Sequence, residues 1–258
     1  MDWLVVGLVS RFGKLLLGYH RSNIKKYIGV HSGFAVSKNL ELRCVALTWG
    51  EIYGLSKKMA LSVKRSGFKP DIVVAISRGG VIPARIVCDV LGIMDLLSVK
   101  VDHWLQTGDH TEKAVIKYPL NADLTGKSVL VVDDIADTGS SLEVTRKHVL
   151  DLGARVVKTA TMQTLSTSTF TPDYTGEHVS EWAWFIYPWN YYEDLGNLML
   201  RLLRGHPQLR GDHKDMARWF RQYYGVRVSG KRLREAASML NERGYIRWEG
   251  KSITLTPH

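Results

Sequence analysis

Asp133, Asp134 and Asp137 place three carboxylates within five positions, and Thr138, Gly139, Ser140 and Ser141 follow without a break. Small hydroxyl side chains around a glycine suit a phosphate monoester, because the hydroxyls donate and the glycine lets backbone N–H groups approach the anion closely. The loop holds no lysine, so amides and a helix N-terminus must supply the positive potential. The carboxylates cannot bind that phosphate themselves. Adjacent carboxylates accept hydrogen bonds from vicinal hydroxyls such as those of a ribose, or hold Mg²⁺ through water. Together the two halves imply a sugar phosphate. An isolated Asp-x-x-Gly-Ser would read more simply as turn and cap residues.

A second cluster, Ser77-Arg78-Gly79-Gly80, lies upstream. Paired glycines beside an arginine expose amides next to a fixed guanidinium, which suits a diphosphate; alone, the cluster reads equally as an ordinary βα turn. Both clusters need elements to position them. Val129–Val132 is an apolar run with no turn former and reads as a buried parallel strand followed by the carboxylates. Leu142, Val144, Val149, Leu150 and Leu152 have helical spacing up to Gly153, so Asp137–Ser141 sits at a helix N-terminus. Asp71–Ile76 is a strand leading into Ser77, and Ile82–Leu91 a helix ending at Gly92. Thr48 and Glu51 cap a helix carrying Ile52, Leu55, Met59 and Val63. Leu97–Val101 and Val156–Met162 read as further strands, and the alternation predicts an α/β fold around a parallel sheet.

The fourteen residues Val129–Leu142 resemble the phosphoribosyl pyrophosphate (PRPP) motif of the type I phosphoribosyltransferases, and Arg78-Gly79-Gly80 resembles that family's pyrophosphate loop. The aromatic run Trp182–Asp194, with Pro188 in its middle, could be plain packing of a domain edge. Trp184–Trp189 also resembles the hood over the base in the xanthine–guanine and hypoxanthine (6-oxopurine) members. The resemblance implies a type I phosphoribosyltransferase fold: a central parallel sheet flanked by helices, with a small hood. It implies a purine phosphoribosyltransferase of purine salvage, transferring the 5-phosphoribosyl group from PRPP to hypoxanthine, guanine or xanthine with Mg²⁺ as cofactor. Asp133 and Asp134 would then hold the ribose or the metal, directly or through water. Asp137 would be the base facing purine N7, Thr138, Gly139, Ser140 and Ser141 would hold the phosphate, and Ser77, Arg78, Gly79 and Gly80 the pyrophosphate, with Arg78 and Asp137 the catalytic pair. Trp184 would stack on the base, with Phe185 and Trp189 beside it, and Asp102–Lys117 matches the family's lid. Members are commonly dimers or tetramers. One departure concerns the base: the usual O6-contacting lysine is missing, Lys158 lies too early, and Gln163 or Thr164 is left as the donor.

At 258 residues and 45% hydrophobic, the chain can bury a full core and exceeds one typical domain. Its charge of +10 divides unevenly: residues 1–40 carry six Lys/Arg against one acid, 41–194 sixteen against nineteen, and 195–258 thirteen against five. The basic ends therefore do a different job from the middle. Residues 1–40 hold no uncharged run long enough to span a bilayer, and are expected to be a flexible extension or an artefact of an upstream start codon, with a membrane-surface segment as the alternative. Cys44 and Cys88 lack metal-ligand spacing, as do His103 and His110; a reducing, cytoplasmic setting follows. The domain expected over 41–194 is the phosphoribosyltransferase. In 195–258, three helical patterns and an alternating hairpin resemble a winged helix-turn-helix. Lys231, Arg232 and Arg234 on its third helix, with Arg247 and Lys251 on the wing, would meet nucleic acid. That sets a second function beside the enzyme, a PRPP- or purine-sensing regulator that binds DNA; the complete set of catalytic loops favours the enzyme.

Overall fold

The computed structural model describes residues 40–102 and 114–256, so the expectations for the N-terminal extension, His103, His110 and most of the lid fall outside the described residues. Strands β2 (Ile72–Ser77), β3 (Leu96–Asp102), β4 (Val115–Tyr118), β5 (Ser128–Ala136), β6 (Val156–Leu165) and β7 (Tyr174–Val179) form one sheet in the order β4-β3-β2-β5-β6-β7. All neighbours pair parallel except β3 and β4. Helices α1 (Trp49–Arg65) and α2 (Val81–Leu91) pack on one face through Ile52, Met59, Ala84 and Val87. Helix α3 (Ser140–Asp151) covers the other through Leu142 and Val149. The helix after β2 and the helix after β5 thus leave the sheet on opposite faces. Between two such adjacent parallel strands the loops splay apart, and the C-terminal edge opens a crevice. Both chemical clusters sit there.

Local signals behave as their chemistry dictates. Thr48 and Glu51 form a reciprocal capping box on α1, and Gly92 ends α2 in the left-handed region at φ 72°. Two departures from the sequence reading bear on the site. β5 runs on through Asp133 to Ala136, so the paired carboxylates lie on the strand and not after it; the ladder to β6 continues past Asp133↔Thr161 to Ala136↔Thr164 and holds them extended. β7, whose Tyr-Thr-Gly-Glu-His-Val has no apolar alternation, exists because β6 pairs with it. Gly176 in β7 permits that packing, since a Cβ there would lie 2.6 Å from the Met162 carbonyl oxygen and 2.8 Å from that of Leu55.

Beside this sheet, β1 (Cys44–Ala46) and β8 (Trp184–Ile186) pair parallel as a two-stranded hood. Helix α4 (Tyr191–Gly205) follows, then α5 (His213–Tyr224), α6 (Gly230–Glu242) and the hairpin β9 (Ile246–Glu249) with β10 (Ser252–Leu255). The three helices and hairpin match the elements read from the sequence. The expected boundary at 194/195 falls inside α4, and one apolar cluster joins Cys44 and Ile186 of the hood to Leu198, Met199, Phe220, Leu233 and Ile253. Gly196 lets α6 approach α4 closely, with the site of its missing Cβ 3.4 Å from Met239 Cε. Among the described residues no helix is long and apolar enough to cross a membrane, and Cys44 and Cys88 are both buried and unpaired.

Candidate active site

The loop between β5 and α3 turns at Gly139, whose φ of 84° lies in the left-handed region and whose missing Cβ would lie 2.4 Å from Phe170 Cβ. Glycine alone meets both demands. Thr138 Oγ1 accepts from the Ser140 N–H at 3.3 Å and lies 3.0 Å from Ser140 Oγ. The turn is braced by the segment that follows β6. Thr169 donates its N–H to the Thr138 carbonyl at 3.1 Å, and Thr167 Oγ1 donates to Asp137 Oδ1 at 2.9 Å. Asp133, Asp137, Thr138, Gly139 and Ser141 line a cavity of about 90 Å³, the volume of a small anion's seat.

The β2–α2 loop leans directly against these carboxylates. A Cβ at Gly79 would stand 2.0 Å from Asp134 Oδ2, and one at Gly80 2.5 Å from the Val132 carbonyl oxygen. The paired glycines are therefore required by the neighbouring strand, and the two clusters form one site. Burial pushes the Asp133 carboxyl well above the usual carboxylate range, and the charge of Asp134 beside it adds to the rise. Burial also raises Asp134. Backbone amides offset part of this, the Ile135 N–H donating to Asp134 Oδ1 at 2.9 Å.

A larger cavity of about 300 Å³ continues from there, bounded by Ser77, Arg78, Gly79, Asp134 and Asp137 on one side and by Trp184, Phe185 and Trp189 on the other. All the aromatic residues singled out in the sequence meet here. Trp189 is stacked face to face on Tyr187, centroids 4.8 Å apart and planes 2° apart, and tilts against Trp49 at 6.0 Å. Arg78 NH2 donates to Glu193 Oε2 at 2.7 Å on the exposed rim.

The donors proposed for a base edge do not reach this cavity. Gln163 is 2% exposed; it donates from Nε2 to Glu177 at 3.1 Å and accepts from the Tyr187 hydroxyl at 2.9 Å. Thr164 is equally engaged, its Oγ1 3.0 Å from that of Thr175. As successive residues of β6 the two side chains point to opposite faces of the sheet, each bonded to a β7 neighbour, so the missing lysine is not replaced from β6. Lys158 is paired with Asp173 at 2.7 Å. The sequence reading missed the polar stripe Asn190, Glu193, Asp194 and Asn197, which α4 turns toward the cavity at helical spacing, and Lys100 on β3 opposite. That i, i+3, i+4, i+7 pattern was the available signal, hidden because it straddles the end of the aromatic run.

Asp194 is 2% exposed and accepts from Trp184 Nε1 at 3.1 Å. Burial pushes its carboxyl up to about 7, against the hydrogen bonds from Asn190 and Trp184, while Glu193 and Asp134 add to the rise. Because the folded value lies above that of the unfolded chain, the carboxyl favours folding at acid pH and that contribution is lost as pH rises from about 4 through about 7. Asp194→Asn keeps an acceptor for Trp184 without ionising. Urea titrations should find the variant gaining on the wild type between pH 5 and pH 8, by on the order of 3 kcal/mol. A difference that does not change with pH would show that Asp194 is not buried as described.

The family model described as phosphoribosyl transferase domain matches residues 47–194. The xanthine-guanine phosphoribosyltransferase of Ruegeria sp. (strain TM1040) is 34% identical over 160 residues, covering 56% of this chain and 84% of that protein. Among solved structures, a hypothetical protein from Neisseria gonorrhoeae with bound ppGpp is 28% identical with a TM-score of 0.50, covering 58% of this chain and 90% of that one. The purine phosphoribosyltransferase from Pyrococcus horikoshii Ot3 is 32% identical with a TM-score of 0.49, covering 57% and 94%.

Proposed function

The chain belongs to the phosphoribosyl transferase domain family and is a pentosyltransferase, and on that premise we propose that it transfers the 5-phosphoribosyl group from PRPP to a 6-oxopurine. The products are the nucleoside 5′-monophosphate and pyrophosphate. One observation carries the reading: the phosphate loop and the Arg78-Gly79-Gly80 loop interlock at Gly79 and Asp134, and they open into one cavity walled by Trp184 and Phe185.

In this reading the amides and hydroxyls of Thr138–Ser141 hold the 5′-phosphate, and α3 adds the potential of its N-terminus. Asp133 and Asp134 accept from the ribose hydroxyls. The pair also fits Mg²⁺. Two buried carboxyls raised by desolvation are relieved by a divalent cation, whose remaining positions substrate oxygens and water would fill. When bound, Mg²⁺ supplies charge neutralisation to the departing diphosphate. Arg78 and the amides of Gly79 and Gly80 stabilise the same developing charge. Asp137 takes the proton from the imidazole edge so that N9 attacks C1′ as the C1′–O bond breaks. Trp184 stacks on the base, and the backbone at Phe185 reads its edge.

Purified protein with PRPP and Mg²⁺ should turn over hypoxanthine, guanine or xanthine but not adenine in a spectrophotometric assay, and EDTA should abolish the rate. Turnover of adenine alone would overturn the base assignment. Binding of PRPP without turnover of any base would favour the regulator, with exposed Lys231, Arg247 and Lys251 of the C-terminal module as the next residues to test.

A further inference from the structure

The first turn of α4 touches both the Arg78 loop and the aromatic wall of the cavity, yet the helix runs on into the C-terminal module, beyond the matched family region. Glu193 accepts from Arg78 of the β2–α2 loop, and Asp194, one residue on, accepts from the Trp184 indole N–H. Tyr191 donates its hydroxyl to the Leu47 carbonyl at 2.7 Å, tying the turn to the start of α1. From the other side, the Arg232 guanidinium of α6 lies 4.1 Å from the centroid of the Tyr191 ring, and Tyr192 donates to Glu235 at 3.3 Å. Behind the turn, Leu195, Leu198, Met199 and Leu202 are buried in the core shared with α5 and α6. Arg232, expected to face nucleic acid, thus stands against the helix that borders the cavity.

We propose that the first turn of α4 sets the affinity for both substrates, Asp194 by fixing the Trp184 ring for the base and Glu193 by competing with the diphosphate for Arg78, and that the C-terminal module anchors this turn. The inference rests on the roles given above to Trp184 and Arg78. The Trp184 indole packs against the apolar core on one side, and the hydrogen bond from its N–H to the buried Asp194 carboxyl adds a directional constraint that sets the ring's orientation. A base that stacks on a pre-set ring avoids the cost of ordering it. Glu193 acts in the other sense. Its pair with Arg78 is exposed and contributes little to stability, but it places a carboxylate where a diphosphate must dock, so the incoming anion has to displace it.

The test uses the full chain labelled with 5-fluorotryptophan, with the Trp184 fluorine resonance assigned through Trp184→Phe, and calorimetric titration with guanosine 5′-monophosphate and with PRPP. Asp194→Ala should shift the Trp184 resonance and weaken the nucleotide about tenfold, the loss of one buried hydrogen bond, with PRPP affinity unchanged; Asp194→Asn should restore both. Glu193→Gln should tighten PRPP severalfold and leave the nucleotide unchanged. Should Asp194→Ala fold poorly, Asp194→Leu, which fills the buried site without an acceptor, carries the same test, and added to Trp184→Phe it should cause no further loss of nucleotide affinity. A Trp184 resonance and nucleotide affinity indifferent to residue 194, or equal losses in the Ala and Asn variants, would overturn the assignment to Asp194. PRPP affinity unchanged in Glu193→Gln would overturn that to Glu193. Wild-type protein that binds both ligands but turns over no base would sink the proposed reaction and leave this inference standing on the resonance and the affinities.

Discussion

Asp137→Ala should lower kcat by about 10²–10⁴-fold, the contribution of a positioned general base, with the KM for PRPP changed less than threefold. The separation follows from the loop's construction. The proposed phosphate seat consists of the backbone and hydroxyls of Thr138–Ser141, held by Thr169 on the Thr138 carbonyl, so it does not need the Asp137 side chain. That side chain borders both cavities, with one oxygen oriented by Thr167 at 2.9 Å. Asp137→Asn sharpens the test, because the amide oxygen still accepts from Thr167 while the group can no longer take a proton. Steady-state kinetics on both variants check this. An Asn variant near the wild-type rate would assign Asp137 to positioning and remove it from proton transfer.

Gly79→Ala should cost about 10²-fold or more in kcat/KM for PRPP, the scale of an ångström's misplacement at a reacting centre. A methyl group there lands 2.0 Å from Asp134 Oδ2 and 2.4 Å from its Cγ, so either the loop or the carboxylate must move. The carboxylate cannot yield without breaking its bond from the Ile135 amide, and the loop cannot yield without carrying Arg78 away. Gly54→Ala is the control. It lies within α1 with nothing within 4 Å of the added carbon, and should stabilise the fold by about 0.5–1 kcal/mol with kinetics unchanged. Thermal melts and PRPP titrations of the two variants check the contrast; Gly79→Ala with wild-type PRPP kinetics would break the proposed interlock of the two loops.

Much of this was legible in the sequence, for identifiable reasons. Val129–Val132 and Ile72–Ile76 are apolar without interruption because a parallel strand is buried on both faces, and each runs into residues that no core would accept. Composition at that junction therefore marks the site. Glycine at 139 and the cap at Thr48 are local chemistry and are read locally. Tertiary structure decided the rest. Gly79 and Gly80 are ambiguous alone, since their requirement comes from Asp134 and Val132 on a strand some fifty residues later. β7 has no pattern of its own and exists only because β6 pairs with it. Gln163 and Thr164 carry the right groups for a base edge, but strand pairing spends them on Tyr187, Glu177 and Thr175. Asp194 reads as an acid in the first turn of a helix, suited to the dipole and solvated. Packing of α4 against the hood buries it instead and hands it the Trp184 indole. Residue types and spacing fix what chemistry a chain carries, because strands, turns and caps are short-range. Which polar groups remain open to a substrate depends on long-range contacts that satisfy all the others.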